Sequence, residues 1–461
     1  MSAPSKLVLI NPSAMKFNLA SQGFKAQPLN LAYLAAVTPS SWDVRIIDEA
    51  FEEAPSRLDA TLVGITTLTA TTNRAYELAT MYRRQGLRVV LGGIHASMVP
   101  DEAEHFADSV VTGEAEEIFP QVLEDAARGQ LKRRYTGGPQ PFKRHLVPRR
   151  ALLSSKYDIA SIQTSRGCPL DCEFCTVKAF SGRTYRQREV DDVLGELESI
   201  PQRLVFFMDD NLVGYGPASQ NRAKEIFRGM IKRRMNKLWF CQTSLNFGDD
   251  EELLSLAAQS GCVLALVGLE SVDEGVLWGM NKRLNAQRGT AYYYDFIAKL
   301  HRHKIMIMAN MILGNDQDTE AAFGATANFI AKSGADVPWP GISVPYPGTK
   351  LYERLKREGR LRYMTYPDDW GEYNSTIVFQ PNHFTPQGFY DGLRRFMDDN
   401  YSFPKILGRA MRTLAYSRSP LRAITVYQLN SSLRRRFRTG LHPPRPSEVT
   451  EEAPRSKASG T

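Results

Sequence analysis

The chain has little of what exported or membrane-spanning proteins need. It has five cysteines in 461 residues, and three of the five lie between positions 168 and 175. An odd number of cysteines with a clustered triplet argues against a disulfide framework and indicates a reducing compartment. Residues 1–6 show no apolar core of a signal peptide, and no apolar run approaches the ~20 residues of a membrane span. We therefore expect a cytoplasmic protein without a transmembrane helix.

The overall composition is that of a globular protein, with 43% hydrophobic and 23% charged residues. The length predicts about two to four domains. The two remaining cysteines, Cys241 and Cys262, stand in apolar, strand-like stretches. We predict that they are small core residues rather than ligands.

Short β-branched runs alternate with amphipathic segments through residues 6–130. Strands are predicted at 6–10, 44–47, 62–67, 88–91 and 109–111, with helices between them, which is the pattern of a parallel, Rossmann-like α/β sheet. No Gly-x-Gly-x-x-Gly follows the first strand, so a dinucleotide is not expected. Ligands of such sheets bind at the carboxyl ends of the strands. The residues at those ends are Asn11, Pro12, Thr67, Leu68, Gly92, Gly93, His95, Gly113, Glu114 and Glu116.

A second alternating region follows a polar, basic stretch. Strands are predicted at 159–163, 204–208, 238–242, 263–268, 305–312 and 340–344, which makes six βα units instead of the eight of a closed barrel. Barrel enzymes place their chemistry at the carboxyl ends of these strands. The polar and glycine residues at those ends are Asp209, Asp210, Asn211, Gln242, Glu270 and Gly314, with Ile312 beside them. Any single Asp, Asn or Ser there could instead cap the next helix.

The loop after the first strand of this region contains Cys168, Cys172 and Cys175, spaced Cys-x3-Cys-x2-Cys. Three thiolates can hold three irons of a [4Fe–4S] cube and leave the fourth iron open for a small ligand, whereas electron-transfer clusters normally take four thiolates. The alternatives are a zinc site or three buried thiols. Zinc prefers four ligands in paired Cys/His clusters, and no second pair stands at a suitable distance.

The cysteine loop resembles the signature of the radical S-adenosylmethionine (SAM) enzymes, including the aromatic Phe174 before the last cysteine. With the preceding α/β region, the chain resembles the class of that family with an N-terminal cobalamin-binding domain. The matching segments are 28–35, 92–96, 113–116 and the Pro-x-Pro-Gly-Thr turn at 345–349. The resemblance implies a cobalamin-binding domain at 1–130, a linker at 131–158, a partial (β/α)6 barrel at 159–355, a helical extension at 356–442 and a disordered tail at 443–461.

The resemblance also implies the cofactors: a [4Fe–4S] cluster on the three cysteines, SAM on the open iron, and cobalamin over the first sheet. Phe174 and the polar residues at the barrel strand ends would contact SAM, and the first-domain residues would contact cobalamin. The chain lacks the Asp-x-His-x-x-Gly loop that supplies a histidine to cobalt in many cobalamin proteins. We therefore expect cobalamin without a protein histidine on its lower face, and His95 is either a cofactor contact or a polar turn residue.

In this class, one SAM methylates reduced cobalamin and a second SAM is cleaved to a 5′-deoxyadenosyl radical. That radical removes a hydrogen atom from an unactivated carbon, which then receives the methyl group. The resemblance thus implies a C-methyltransferase of a small molecule, with an electron donor such as flavodoxin or ferredoxin. Two alternatives stay open at this point: a cyclase or rearrangement enzyme without methyl transfer, and a non-catalytic cobalamin-binding protein.

The positive charge is concentrated near the end of the chain. Residues 401–447 contain ten Arg or Lys and no Asp or Glu, in a chain whose net charge is +8. Residues 403–438 mix these basic residues with apolar ones, as in amphipathic helices that lie on anionic membranes. The alternative is a helical cap on the barrel with solvated arginines. No RNA-binding motif accompanies the segment, so a nucleic-acid partner is not expected.

Overall fold

The computed structural model describes residues 5–13, 26–142, 146–373 and 375–445. Two six-stranded parallel sheets, each with helices, follow one another along the chain. No helix among these residues is long and apolar enough to cross a membrane. This architecture confirms the predicted α/β class, with the Rossmann-like sheet first and the barrel-like sheet second.

The first sheet has the strand order β2-β1-β3-β4-β5-β6, and all of its strands are parallel. Its strands are β1 (Ser5–Asn11), β2 (Trp42–Asp48), β3 (Leu62–Thr66), β4 (Arg88–Gly92), β5 (Ser109–Thr112) and β6 (Arg134–Thr136). Its helices are α1 (Asn30–Val37), α2 (Thr72–Arg84), α3 (Ile94–Met98), α4 (Pro100–Phe106) and α5 (Phe119–Arg128).

Helices cover both faces of this sheet, which explains why its strands are continuous apolar runs. Along β1, Leu7 and Leu9 belong to one hydrophobic cluster, and Val8 and Ile10 belong to the cluster on the opposite face. The strand thus has no solvent-facing side. Only its carboxyl end, where the polar residues begin, is open to a ligand.

The second sheet has the order β14-β13-β12-β11-β10-β7 and is also parallel throughout. Its strands are β7 (Ile159–Ile162), β10 (Leu204–Phe207), β11 (Leu238–Thr243), β12 (Cys262–Glu270), β13 (Met306–Leu313) and β14 (Val337–Ile342), and β8 (Ser165–Arg166) and β9 (Arg186–Gln187) form a small antiparallel pair. The edge strands β7 and β14 do not pair with each other. The barrel is therefore partial, as the count of six units predicts.

The helices of this region are α6 (Val177–Ser181), α7 (Val190–Ser199), α8 (Pro217–Lys232), α9 (Glu251–Gln259), α10 (Glu274–Gly279), α11 (Arg283–Arg288), α12 (Tyr292–Arg302), α13 (Ala321–Ser333) and α14 (Lys350–Arg357). The C-terminal helices are α15 (Pro386–Asn400), α16 (Phe403–Ser417) and α17 (Pro420–Gly440). Trp239 of β11 stacks on Phe227 of α8, so this residue faces the outer helices. Its neighbour Phe240 consequently faces the inside of the partial barrel.

The predicted linker at 131–158 is not simply a connection. Its residues Arg134–Thr136 form β6, which lengthens the first sheet by pairing with β5. Its residue Tyr157 donates a hydrogen bond to the carboxylate of Asp48 at the end of β2. Of the predicted tail at 443–461, residues 446–461 lie outside the described residues.

The C-terminal helices are fastened to the barrel through Asp336, which is 1% exposed. Its carboxylate accepts hydrogen bonds from Nε2 of His301 (2.9 Å), from the hydroxyl of Tyr416 (3.1 Å) and from the hydroxyl of Thr413. Its backbone carbonyl accepts from Nδ2 of Asn430 (3.0 Å). Asp336 therefore joins α12 and α16 through its side chain and α17 through its backbone, at the edge of the second sheet.

We predict that Asp336→Ala will loosen the C-terminal helices. The substitution removes the carboxylate that His301, Thr413 and Tyr416 share as a partner, and a buried polar group left unsatisfied costs about 1–3 kcal/mol. The thermal midpoint should fall, and limited proteolysis should cut within residues 401–440 first. Asp399→Ala, which removes only an exposed pair with Lys405, is the control and should behave as wild type. Equal protease resistance of all three proteins would contradict the anchoring role.

Candidate active site

The cysteine loop is fixed by contacts to two other parts of the barrel. The carboxylate of Asp171 pairs with Lys178 and Lys350, both at 2.6 Å, and these cations lower its pKa to about 2. The carboxylate of Glu173 pairs with Arg354 at 2.5 Å, and its backbone N–H donates to the carbonyl of Met280 (3.0 Å). The loop is therefore held in place by residues between and after the three cysteines.

All three thiols in this loop are free and partly buried. Burial raises the pKa of Cys168 and Cys172, and it raises the pKa of Cys175 to about 12. The nearby ammonium of Lys282 acts in the opposite direction on all three. The thiols are thus neutral until a cation binds.

The donor set fits a cluster better than a single ion. Within the described ranges, no three His, Cys, Asp or Glu side chains form a group that could hold one metal ion. In an iron–sulfur cube each thiolate binds a different iron, so the three sulfurs need not converge on one point. Three soft thiolate donors in a preformed loop match this requirement.

Glu270 and Lys282 form a buried ion pair beside the cysteines, with Nζ to Oε1 at 2.8 Å. Glu270 has a φ of +66°, in the left-handed region, and the register of β12 against β13 shifts at this residue. Asn285 and Tyr293 hold the distorted strand end by donating hydrogen bonds to the carbonyl of Leu269, at 3.1 and 2.9 Å. Strained backbone of this kind is commonly found at functional sites. Lys282 was not predicted, because no motif or spacing in the sequence marks it.

The three predicted residues after β10 have different positions. Asp209 is fully buried, and it accepts hydrogen bonds from the backbone N–H of Thr164 (2.8 Å) and from the hydroxyl of Ser165 (2.6 Å). Asn211 is 1% exposed and bonds to Ser244 and Thr243, both at 3.3 Å. The protein encloses both groups, so in this arrangement they hold the strand end, and their contact with SAM stays a prediction.

Asp210, in contrast, is exposed, and it follows the carboxyl end of β10. Enclosure by the surrounding protein and the neighbouring carboxylate of Asp209 raise its pKa to about 6. Gln242 is also exposed and shares the inner face of the barrel with Phe240. Both side chains are available to a ligand at the carboxyl ends of the strands.

Tyr215 is a second functional candidate that the sequence did not reveal. Its hydroxyl hydrogen-bonds to Ser244 (2.9 Å) and to the thiol of Cys168. Tyr215 lies a few residues after the Asp209–Asn211 turn, and only its contact with Cys168 marks it as a site residue. The side chain places a neutral donor beside one of the three sulfurs.

Gly314 packs closely on the protein, and its approach to adenine stays a prediction. It is buried with a φ of +87°, and a Cβ at this position would lie 2.9 Å from the ring of Phe389. The glycine is thus required by the turn and by Phe389 packing. Ile312, two residues earlier, is partly exposed on the inner face, and Phe174 is partly exposed with Lys282 6.0 Å from its ring centre.

The first domain presents a mixed set of residues at the ends of its strands. Leu68 is 51% exposed, and Gly92, Gly93 and Gly113 are partly exposed. A Cβ at Gly93 would lie 2.7 Å from the carbonyl oxygen of Thr67, so this turn can form only with glycine. An exposed leucine beside small residues suits a broad, flat, partly apolar ligand.

At the end of β1, Asn11 is partly exposed and donates to Asp48 (3.1 Å), whereas the adjoining Pro12 is buried.

His95 and Thr67, two of the predicted cobalamin contacts, are each 0% exposed. The Nδ1 of His95 is 3.1 Å from the hydroxyl of Thr69, and its ring packs edge-on against Trp370. The hydroxyl of Thr67 donates to the carbonyl of Gly92 (2.8 Å). His95 thus helps to pack the C-terminal extension on the first domain, and its contact with cobalamin stays a prediction.

Glu114 and Glu116 connect the two domains. Arg166, two residues before Cys168, pairs with Glu114 at 3.1 Å and with Glu116 at 2.5 Å, and Arg186 also pairs with Glu114. Burial opposes ionisation of Glu116, but Arg166 outweighs it and lowers the pKa of this carboxyl. Their carboxylates are therefore paired with arginines of the barrel, and a direct contact with the cofactor stays a prediction.

The carboxyl ends of the two sheets consequently face each other. Besides the ion pairs at Arg166, helix α3 of the first domain contacts α6, which follows the cysteine loop. Gly348, in the predicted rigid turn after β14, packs so closely on Met98 of α3 that a Cβ would overlap the sulfur. Leu68 on the first sheet and Asp210 and the cysteines on the second thus lie at ends that face each other, and we call the space between these ends the cleft.

We predict that replacing Cys168, Cys172 and Cys175 together by Ala will give a folded protein without iron, because the loop is held by Asp171 and Glu173 and not by the thiols. Iron content and the anaerobic absorption spectrum after reconstitution measure this. Cys241→Ala and Cys262→Ala, at 0% and 1% exposed core positions, are controls that should retain the cluster. Retention of about four irons per chain by the triple variant would overturn the assignment.

Comparisons with known proteins agree with this geometry. Residues 15–123 match the B12 binding domain and residues 162–330 match the radical SAM superfamily. Bacteriochlorophyllide d C-12(1)-methyltransferase of Chlorobaculum tepidum is 30% identical over 88% of this chain and 89% of its own length. Hopanoid C-2 methylase of Rhodopseudomonas palustris is 26% identical over 72% of this chain and 65% of its own.

Among solved structures, the radical SAM methyltransferase TsrM from Kitasatospora setae, with cobalamin and a [4Fe–4S] cluster bound, has a TM-score of 0.68 at 18% identity and covers 94% of this chain and 99% of its own. The cobalamin-dependent radical SAM enzyme OxsB, with aqua-cobalamin and SAM bound, has a TM-score of 0.70 at 13% identity and covers 94% of this chain and 71% of its own. At these identities the likeness concerns the fold. Because both domain models match in order and a relative is 30% identical over nearly the whole length, the chain belongs to the cobalamin-dependent radical SAM enzymes, whose cofactors are a [4Fe–4S] cluster, SAM and cobalamin.

Proposed function

We propose that this enzyme methylates an unactivated carbon of a largely apolar small molecule. The observation that supports the proposal is the single cleft bordered by the cysteine loop on one side and the strand ends of the B12 domain on the other. When bound, the cluster with SAM supplies a radical that removes a hydrogen atom, and cobalamin supplies the methyl group. A substrate carbon in this cleft would be accessible to both.

The residues of the chain have three tasks in this proposal. Cys168, Cys172 and Cys175 would hold the cluster, and Asp210 would bind the ammonium group of SAM. Glu270 is fixed by Lys282 at 2.8 Å, which suits a carboxylate that accepts hydrogen bonds from a ribose diol. These side chains act by binding and orientation, which in enzymes lowers a barrier by holding reactants in a reactive geometry.

The inner face of the barrel indicates what kind of substrate fits. Phe206 and Phe240 are paired in register and stack at 4.7 Å between ring centres. Leu266 follows on β12 beside Gln242, and Trp339 lies on the edge strand β14 beside Asn310. This face is thus mainly aromatic and aliphatic, with two amides that can orient a few polar groups. Such lining is typical of sites for apolar ligands with limited polar functionality.

A cavity of about 210 Å³ lies along the open edge of the barrel. It is lined by Trp339, Ile342 and Tyr346 on the side of β14 and by Met397 and Phe437 on the side of the C-terminal helices. Arg436 lies 5.2 Å from the ring centre of Trp339. Because β7 and β14 do not pair, this edge offers a route to the inner face for an apolar molecule.

The test uses SAM with a deuterated methyl group and the reconstituted enzyme. We propose chlorophyllide-type and hopanoid-type molecules as first substrates, since two relatives are named for them. A reduced flavodoxin or ferredoxin would serve as electron donor. Mass spectrometry should find a deuterated methyl group in the product. SAM cleavage with cyclised or rearranged, unmethylated product would contradict methyl transfer, and cobalamin binding without SAM cleavage would point to a non-catalytic protein.

We predict that SAM binding will weaken as the pH falls through about 6, where Asp210 becomes protonated. The folded pKa is raised, so the carboxylate is charged above that pH and neutral below it. Asp210→Asn should bind SAM weakly at every pH and should lose this dependence. Asp43→Asn, at an exposed position of β2, is the control. Calorimetric titration of cluster-loaded protein measures the effect, and an unaltered pH profile in Asp210→Asn would exclude Asp210 from the ammonium site.

We also propose that residues 403–438 contact a membrane, through a surface that is separate from the cleft. It is independent of which carbon is methylated. The same surface would also favour a substrate that dissolves in lipid.

A further inference from the structure

Helices α16 and α17 expose a concentrated set of large apolar side chains. Phe403, Leu407 and Met411 recur every four residues on α16, and Leu421, Ile424 and Tyr427 recur every three on α17. These residues are 38–67% exposed. They are six of the eleven exposed large hydrophobic residues among the described ranges, within 25 consecutive positions. We call these six residues the apolar ridge.

The six side chains form one surface. The two helices make an antiparallel hairpin joined at Arg418–Ser419, and the rings of Phe403 and Tyr427 are in contact with centres 6.5 Å apart. The opposite side of the hairpin is packed on the barrel through Ile406 and Val426, which are 2% and 0% exposed. The apolar ridge therefore points away from the protein, and no described element covers it.

The charge around the ridge has one sign. No Asp or Glu occurs in residues 401–447, while Lys405, Arg412 and Arg418 on the hairpin are exposed. Lys405 pairs with Asp399 just before the hairpin, whereas Arg412, Arg418 and the half-buried Arg422 have no carboxylate partner among the described residues. A second copy of the chain docking on this ridge would bring like charges together. An anionic surface would bring opposite charges together.

We infer that the α16–α17 hairpin docks the enzyme on the surface of an anionic lipid bilayer, with the apolar ridge among the acyl chains and Arg412 and Arg418 at the headgroups. Exposed aromatic and aliphatic residues bordered by cations are the pattern of interfacial helices. Since no described helix is apolar enough to span a membrane, the contact is peripheral.

The structure also narrows the contact from the 403–438 expected on sequence. Asn430 and Leu433 are 0% and 4% exposed, and Arg436 and Phe437 line the 210 Å³ cavity at the edge of the barrel. The exposed large apolar residues of the hairpin therefore all lie within residues 403–427. The same helix, α17, runs from the ridge to that cavity.

The experiment is co-sedimentation of the full chain with vesicles of phosphatidylcholine alone or mixed with phosphatidylglycerol. Wild type should bind the mixed vesicles, bind phosphatidylcholine weakly, and dissociate as salt shortens the screening length from about 10 Å towards 3 Å. A ridge variant, Leu407→Ser with Met411→Ser and Leu421→Ser, should bind roughly tenfold or more weakly. A charge variant, Arg412→Gln with Arg418→Gln, should fall by a similar factor on mixed vesicles only.

The matched control is Trp278→Ser with Tyr294→Ser, which removes two exposed aromatics, 52% and 41% exposed, from barrel helices. It should bind as wild type. Every variant should keep the wild-type circular dichroism and thermal midpoint, because all altered side chains are exposed. Equal binding by wild type and ridge variant would overturn the inference. So would light scattering that shows a wild-type dimer and a monomeric ridge variant, since the ridge would then be a protein interface.

Discussion

The buried ion pairs between Arg166 and the two carboxylates of Glu114 and Glu116 determine how the rest of the molecule is arranged. Arg166 lies two residues before the first cysteine of the cluster loop, and the glutamates follow a strand of the B12 domain. A buried pair of this kind is weak evidence for stability, but breaking it would leave uncompensated charge inside the protein. Its consequence is geometric: the open ends of the two parallel sheets cannot turn away from each other.

This constraint makes the cysteine loop and the B12 domain parts of one site. The loop is stiffened by Asp171 and Glu173, whose partners come from α6 and from α14 beyond the last strand. Behind the thiols, Lys282 is buried and paired with Glu270, whose backbone is held at a positive φ. The charges of this buried pair compensate each other before any cofactor binds.

The C-terminal region has a packing role on its inner side and a surface role on its outer side, and its amino-acid composition does not distinguish the two. Trp370 packs on His95 of the B12 domain, and Asp336 fastens α16 and α17 to the barrel. The inner side of this region is thus a structural clamp around the open edge of the barrel. Its outer side exposes the apolar ridge, where the absence of acidic residues concentrates positive charge.

The sequence by itself determined the two parallel sheets, their strand positions within a few residues and the cluster cysteines, because these depend on local hydrophobic period and on spacing within one loop. The tertiary structure alone decided the roles of single polar residues. Six predicted residues lie at strand ends. Asp210 and Gln242 are exposed, whereas the other four are buried and form hydrogen bonds within the protein: Asp209, Asn211, Thr67 and His95. The structure identifies Lys282 as a site residue because it pairs with Glu270, twelve residues away. It likewise shows that Glu114 and Glu116 are ion-pair partners of Arg166, which lies about fifty residues later in the chain. Local pattern fixes which residues lie at a strand end, whereas burial and long-range pairing, which depend on all the neighbouring elements, decide which of them remain free to bind a ligand.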